Sequence, residues 1–314
     1  MNSKNIKKSL NAKLIKWLES IEDAEIKKIV KENTIITGGA IVSLLIGEPV
    51  NDYDVYFKTR EAALKVAKYY VDSFNKAHNT LAELKEEEER DKDGNLTGKL
   101  VSNGKINIFI KNKGVLADEE AETITDESEP TLPEEIEELQ EQAEEEKKFS
   151  KPKYRPIYLT SNAITLSDKI QIVIKFWGDV EEIHKNYDFA HCTCAWSSWD
   201  NNLSLPTKAL ECIINKELYY IGSKYPLCSI IRTRKFISRG YTINAGQYLK
   251  MCMQLNELDL KNVEVLKDQL VGVDSAFFNI VISALESQAE KAKEQNENYK
   301  VDNSYLFEVI NRVF

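Results

Sequence analysis

Two aspartates separated by one residue are the part of the sequence best suited to chemistry. Asp52 and Asp54 lie in a stretch predicted to be extended, where alternate side chains point to the same face of a strand. Adjacent carboxylates repel each other unless a cation lies between them, and Mg²⁺ commonly takes one or two carboxylates together with substrate phosphates. The pair therefore predicts a magnesium site.

A glycine turn shortly before this pair adds a second chemical feature. Gly38 and Gly39 open a short apolar helix that we predict over residues 40–46. Glycine lets backbone N–H groups approach a triphosphate closely, because no Cβ stands in the way. A phosphate-binding turn and a metal-binding pair within one short segment together predict nucleotidyl transfer.

The elements that position these residues are predicted from hydrophobic periodicity. Residues 6–32 have the spacing of one or two amphipathic helices. Further helices are predicted at 40–46, 59–77, 180–185 and throughout the region after 205. Strands are predicted at 34–37, 52–57, 105–111, 156–160, 163–166, 169–177 and 188–196. The fold class is therefore α+β, with a mixed sheet followed by an all-helical body.

We predict three regions along the chain. N-terminal helices occupy residues 1–32, a mixed α/β head occupies 33–204, and the helical body occupies 205–314. Within the head, we interpret residues 78–104 as a charged loop and 117–148 as an acidic insertion that is predicted to be disordered.

The acidic insertion dominates the charge of the chain. Residues 117–146 contain fifteen Asp and Glu and neither Lys nor Arg, and removing these charges from the net charge of −9 leaves +6. The remainder is therefore mildly basic, which is compatible with a polyanionic partner such as RNA.

The apolar runs and the cysteines indicate the compartment. The longest apolar runs are far too short to span a bilayer, and no apolar signal region follows Met1. Five cysteines, an odd number, indicate a reducing compartment. We therefore expect a cytoplasmic protein without a membrane partner, or a virion-associated one if a phage encodes it.

Two thiols and an imidazole within the last predicted strand are residue types that can bind zinc. Strand alternation places Cys192 and Cys194 on one face and His191 on the other, and no fourth ligand is near in the sequence. The pattern favours buried structural thiols.

Three stretches resemble the tRNA nucleotidyltransferase and poly(A) polymerase family within the DNA polymerase β superfamily. The head motif of that family reads Gly-Gly-x-Val-Arg-Asp-x-Leu-Leu-Gly and then Asp-x-Asp. This chain matches it at Gly38, Gly39, Leu44, Leu45, Ile46, Gly47, Asp52 and Asp54. Residues 186–196 are similar to the family's Arg-Arg-Asp-Phe strand, and residues 226–243 are similar to the first helix of its neck. The spacing of Tyr187, Asp188, Phe189 and Cys192 is similar to that of a phage-type branch.

This resemblance implies a polymerase β-like nucleotidyltransferase head over residues 33–204 and a role for each matched residue. Asp52, Asp54 and Asp188 are implied to be catalytic and to hold two Mg²⁺ ions. The substrate is implied to be an NTP, ATP or CTP, and an RNA 3′ end is the expected acceptor. The residues expected to bind the nucleotide are Gly38, Gly39, Ser43, Arg232, Lys235 and Arg239.

The three basic residues of this set also have a second interpretation. Arg232, Lys235 and Arg239 have roughly helical spacing and could hold a triphosphate or an RNA backbone. A solvated basic helix face accounts for the same spacing, and the sequence leaves both open.

The chain departs from the family at positions that bear on its activity. Val42 and Ser43 stand where the family has Arg-Asp, and Asn186 and Tyr187 stand where it has Arg-Arg. The Glu-Asp-x-x-Arg motif of CCA-adding enzymes is missing from the sequence, and the body is short. These departures disfavour a standard CCA-adding enzyme. Two interpretations remain: a template-independent nucleotidyltransferase, or a decayed fold that serves as a binding or virion-associated protein.

Overall fold

The computed structural model describes residues 1–78, 81–90, 96–111 and 153–260, together with 262, 265 and 269. The described chain forms two compact units, of which the first ends at Ile214 and the second begins at Asn215. The predicted acidic insertion and most of the last 54 residues lie outside the described residues.

Four helices of the first unit precede or flank its sheet. They are α1 (Ser3–Ser20), α2 (Ala24–Asn33), α3 (Gly39–Ile46) and α4 (Arg60–His78). Asn2 caps α1 by accepting a hydrogen bond from the backbone N–H of Asn5, and Asp23 caps α2 in the same way. The indole N–H of Trp17 donates to the Tyr70 hydroxyl across 2.6 Å, which ties α1 to α4. The N-terminal helices thus pack in the core of the first unit.

The strands follow the predicted pattern closely in the apolar part of the chain. They are β1 (Thr34–Thr37), β2 (Tyr53–Phe57), β3 (Leu81–Glu86), β4 (Glu88–Arg90), β5 (Leu96–Leu100), β6 (Ile106–Lys111), β7 (Pro156–Leu159), β8 (Ala163–Leu166), β9 (Ile170–Trp177), β10 (Ala195–Ser197) and β11 (Asn202–Ser204). Within the described residues, seven of them form one sheet in the order β11-β10-β1-β2-β9-β8-β7. Strands β2 and β9 run parallel and the other neighbours in this sheet run antiparallel, so the sheet is mixed.

The two faces of this sheet have different surroundings. Ile36, Val55 and Trp196 point to the face that packs in the main core, which also contains the buried residues of α1 to α4. Ile35 and Tyr56 point to the opposite face, where a smaller cluster includes Ile183. This smaller face is covered in part by α5 (Val180–His184).

Two predicted elements differ from the structure. Residues 78–104, interpreted as a charged loop, contain β3, β4 and β5, and β3 pairs with β6. Residues 188–196, predicted as one strand, contain a 3₁₀ turn over Ala190–Cys192, and β10 begins only at Ala195. The second difference changes the environment of Asp188.

After the sheet, the described chain is largely helical, as predicted. Helix α6 (Thr207–Asn215) ends at the boundary of the first unit, and the second unit contains α7 (Pro226–Ser238) and α8 (Ala245–Leu255). The α+β class with a mixed sheet is confirmed. None of the helices in the described part of the chain has the length and apolar character that crossing a membrane requires.

Candidate active site

The turn between β1 and α3 lies directly against the side chain of Asp54. Gly38 has φ 78° and ψ −142°, a conformation that residues with a side chain rarely adopt. A Cβ added at Gly38 would lie 3.1 Å from Asp54 Oδ2 and 3.6 Å from the Tyr187 hydroxyl oxygen. A Cβ added at Gly39 would meet no such neighbour within 4 Å. The absence of a side chain at Gly38 is therefore what lets the turn approach the carboxylate.

Strand pairing places Asp54 in a row of polar residues. Asp54 is opposite Thr37 of β1 and opposite Gln171 of β9, and directly paired residues point to the same face of a sheet. The row continues through Thr165 of β8 to Tyr158 of β7. Asp54 therefore lies on the sheet face that α5 partly covers, opposite the main core.

The three predicted carboxylates lie in two segments of the first unit. Asp52 precedes the first residue of β2 and is half-buried, as is Asp54. Asp188 is buried in the segment between α5 and the 3₁₀ turn. Among the residues that the structure describes, no group of three or more His, Cys, Asp or Glu side chains is arranged to hold a metal ion. Asp52 and Asp54 remain as a pair, which is within the number of carboxylates that Mg²⁺ commonly takes.

Thr37 is the centre of a hydrogen-bond network beside this pair. Its hydroxyl donates to the carbonyl of Cys194 across 2.9 Å, and its oxygen lies 2.8 Å from Nε2 of His184. A hydroxyl has one proton to donate, so Nε2 of His184 carries the proton of this second hydrogen bond. The ring of Tyr187 packs beside this network, near the rings of His184 and Tyr56.

Burial alters the protonation of two groups in this network. It lowers the pKa of His184 from 6.5 to about 4, so the imidazole is neutral near pH 7. Burial also raises the pKa of the Tyr187 hydroxyl well above its ordinary value, and the neighbouring Tyr56 and Asp54 add to this effect. His184 and Tyr187 are thus both uncharged near neutral pH.

The helix that follows the glycine turn does not offer the cation that the family motif has there. Val42 is buried in the main core of the first unit. The side chain of Ser43 is half-buried, and its carbonyl accepts hydrogen bonds of 2.9 Å from the backbone N–H groups of Gly47 and Glu48. A role for Ser43 in nucleotide binding stays a prediction.

The predicted basic residues all lie in the second unit. Arg232 and Lys235 are on α7, and Arg239 lies just beyond its last residue. Lys235 and Arg239 are exposed and Arg232 is half-buried. The Arg239 carbonyl accepts a hydrogen bond of 3.3 Å from Nζ of Lys216. Their role toward a triphosphate or RNA stays a prediction.

The thiol cluster has a different geometry from the one that strand alternation predicts. Because Ala190–Cys192 forms a 3₁₀ turn, the Cys192 sulfur lies 3.3 Å from Nε2 of His191 and the two side chains are not on opposite faces. Cys194 is buried, and burial raises the pKa of its thiol to about 12. Cys194 is therefore a buried thiol, as the sequence predicts, whereas Cys192, which the sequence also predicts to be buried, is half-buried.

Four residues near Asp54 were not identified from the sequence as part of the site. They are Thr37, Gln171, His184 and Tyr187. Gln171 interrupts the apolar first half of its strand, and Tyr187 stands at a position where the resembling family has arginine. Those two irregularities are the available sequence signals, since the contact of His184 with Thr37 spans 147 positions.

Comparison with known proteins gives a family and a set of distant structures. A family model described as "Gabija anti-defense 2 family protein" matches residues 8–216. A curated protein of Bacillus phage SPbetaL7, "Gabija anti-defense 2", is 26% identical over 107 residues. That match spans 33% of this chain and 27% of the relative's length.

Two of the similar solved structures are tRNA enzymes. One is a "tRNA-processing enzyme (apo form I)", with 13% identity, a TM-score of 0.35, and coverage of 92% of this chain and 60% of that one. Another is the Thermotoga maritima CCA-adding enzyme complexed with tRNA, with 12% identity and a TM-score of 0.36. That likeness covers 82% of this chain and 49% of the enzyme.

Proposed function

Because the chain belongs to the Gabija anti-defense 2 family, we propose that it counteracts Gabija defence, and that it does so by Mg²⁺-dependent nucleotidyl transfer. The observation that carries the chemical part is the approach of the Gly38 turn to the Asp54 carboxylate. A glycine turn beside a carboxylate pair provides for a phosphate and a cation at one place.

The residues present fit a magnesium ion. Asp52 and Asp54 offer oxygen donors, and the missing Cβ of Gly38 leaves space 3.1 Å from Asp54 Oδ2. When bound, Mg²⁺ supplies charge neutralisation for the transferred phosphoryl group and for the attacking hydroxyl. Asp188 is predicted to serve as a third ligand, but the proposal does not depend on it.

In this mechanism the chain mainly positions the reactants. The Gly38–Gly39 turn holds the phosphates of an NTP, with ATP or CTP expected. The acceptor hydroxyl bonds to the α-phosphorus, the bond to pyrophosphate breaks, and a carboxylate of the pair can take the hydroxyl proton. Ser43, Arg232, Lys235 and Arg239 are proposed as further phosphate contacts. The expected acceptor is an RNA 3′ end, because the chain without its acidic segment has a net charge of +6.

The test compares Asp54→Asn with Asp72→Asn, a matched change on the exposed side of α4. Each protein is incubated with labelled NTPs, Mg²⁺ and total RNA and protein from Gabija-bearing cells. We expect Asp54→Asn to reduce labelling by about 10²-fold or more, since each ~1.4 kcal/mol of lost transition-state stabilisation costs tenfold in rate. Near-normal labelling by Asp54→Asn would overturn the assignment, and the labelled macromolecule identifies the acceptor.

A second function is favoured by the buried position of Val42. Because this residue packs in the core, it does not replace the arginine of the resembling motif, and the fold could act on Gabija by binding alone. Phage plating on Gabija-bearing cells that express each variant separates the two functions. Nucleotidyl transfer predicts that Asp54→Asn abolishes protection of the phage, whereas binding alone predicts that protection is retained.

A further inference from the structure

Among the residues that the structure describes, Tyr187 is an aromatic residue that approaches the candidate phosphate turn closely. Its hydroxyl oxygen lies 3.6 Å from the point where a Cβ of Gly38 would be, and Asp54 Oδ2 lies 3.1 Å from the same point. The two oxygens therefore flank the turn. The backbone of Tyr187 is also held in place, because its N–H donates a hydrogen bond to the His184 carbonyl across 3.0 Å.

Two neighbours connect Tyr187 to the strands of the site. One is Tyr56, which packs near the Tyr187 ring, is on β2 two residues after Asp54 and points to the same face. The other is His184, whose imidazole is hydrogen-bonded to Thr37, the residue that immediately precedes Gly38 and is opposite Asp54 in the sheet. Tyr187 is thus in contact with the strand that carries the carboxylates and, through His184, with the strand that leads into the turn.

The ring of Tyr187 packs against two other rings. Its centroid lies 5.0 Å from that of His184 and 6.3 Å from that of Tyr56. His184 in turn contacts Thr37 through Nε2 at 2.8 Å. These contacts leave the hydroxyl oxygen with little freedom to move away from the turn.

We infer that Tyr187 is a positioning residue, whose hydroxyl fixes the Gly38 turn and the Asp54 carboxylate relative to each other so that the pair can bind a divalent cation. The inference rests on the proposed function, because it assigns Tyr187 to the metal pair of that same site. Groups that orient metal ligands typically contribute 10- to 100-fold to metal affinity. Removal of the hydroxyl alone should therefore weaken cation binding while the packing of the ring is kept.

The experiment measures Mn²⁺ binding to the full chain by electron paramagnetic resonance, with ATP present and without catalysis. Tyr187→Phe removes the hydroxyl and keeps the ring. Tyr69→Phe is the matched control, because the Tyr69 hydroxyl accepts only a long hydrogen bond of 3.5 Å from the backbone N–H of Glu22 among the contacts described for it. We expect about tenfold weaker Mn²⁺ binding for Tyr187→Phe and no change for Tyr69→Phe.

A second variant keeps the inference testable if Tyr187→Phe folds poorly. Thr37→Val preserves the shape of the residue and removes the hydroxyl that holds His184 beside the Tyr187 ring, so it should also weaken Mn²⁺ binding. Thermal melting followed by circular dichroism shows which variants are folded.

The outcomes separate this inference from the proposed function. If the unaltered chain and Tyr187→Phe bind Mn²⁺ equally, Tyr187 does not position the pair, although the pair itself still binds metal. If Tyr187→Phe and Thr37→Val both weaken binding, the inference is supported. If the unaltered chain does not bind Mn²⁺ with ATP at millimolar concentrations, the proposed function and the inference both fail.

Discussion

At the scale of single residues, Gly38 and Gly39 are neighbours with opposite constraints. Gly38 has a positive φ and lies against Asp54, whereas Gly39 is the first residue of α3 with open space around it. The two glycines cannot be distinguished from the sequence, and only the backbone geometry shows that Gly38 is the constrained one.

We predict that Gly38→Ala is costly and that Gly39→Ala is not. An alanine at position 38 needs a strained backbone, at about 1–3 kcal/mol, and its Cβ would displace the Asp54 carboxylate. Alanine at position 39 replaces a helical glycine and should be neutral or slightly stabilising. The measurement is the melting temperature, with Mn²⁺ binding as a second readout. Equal melting temperatures for the two variants would show that the turn is not constrained as described.

The chemistry of the site was predictable at this scale only where it depends on local spacing. Asp52 and Asp54 are recognised because strand alternation is a rule of neighbouring residues. The approach of Tyr187 to Gly38 depends on how α5 and the following segment fold over the sheet. No periodicity in the sequence encodes that contact.

At the scale of elements, α5 brings an imidazole into a buried position against the sheet. His184 is the last residue of this helix, and its Nε2 forms a hydrogen bond of 2.8 Å with the Thr37 hydroxyl. Burial favours the neutral form, with a pKa of about 4 instead of 6.5.

We therefore predict that His184 makes the first unit less stable as the pH falls from 6.5 toward 4. In that window the unfolded chain binds a proton that the folded chain does not, so the free energy of unfolding increases with pH. The loss on acidification is at most about 3 kcal/mol. Urea unfolding between pH 4.5 and 7.5 should show a smaller pH dependence for His184→Gln than for the unaltered chain. Parallel pH curves for the two proteins would contradict the assignment.

The elements that the sequence predicted well are those whose apolar residues are buried. Strand β1 and helix α4 have apolar spacing that matches their burial, and the structure places them within a residue of their predicted bounds. Strand β3 alternates between buried or half-buried and exposed residues, but its charged composition conceals that pattern. The prediction for residues 188–196 was wrong for another reason. Their apolar residues are buried in a 3₁₀ turn, and a short buried turn has the same apolar composition as a short strand.

At the scale of the whole molecule, charge is divided unequally along the chain. The acidic run over residues 117–146 carries fifteen negative charges, and the rest carries a net charge of +6. Opposite charges on one chain compete for each other as well as for outside partners. An RNA acceptor would therefore compete with the acidic run for the basic residues of the chain.

The last prediction concerns RNA binding and its dependence on salt. If Arg232, Lys235 and Arg239 contact three phosphates, single-stranded RNA should bind at micromolar or weaker affinity with a log–log salt slope of about −2, because each contact contributes about −0.7. Arg232→Ala should reduce the slope by about one contact. Arg234→Ala should not, since two positions along α7 turn its exposed side chain to another face. Removing residues 117–146 should tighten binding. Salt-independent binding, or no RNA binding at about 50 mM salt after that removal, would instead direct the search for the acceptor to proteins or small molecules.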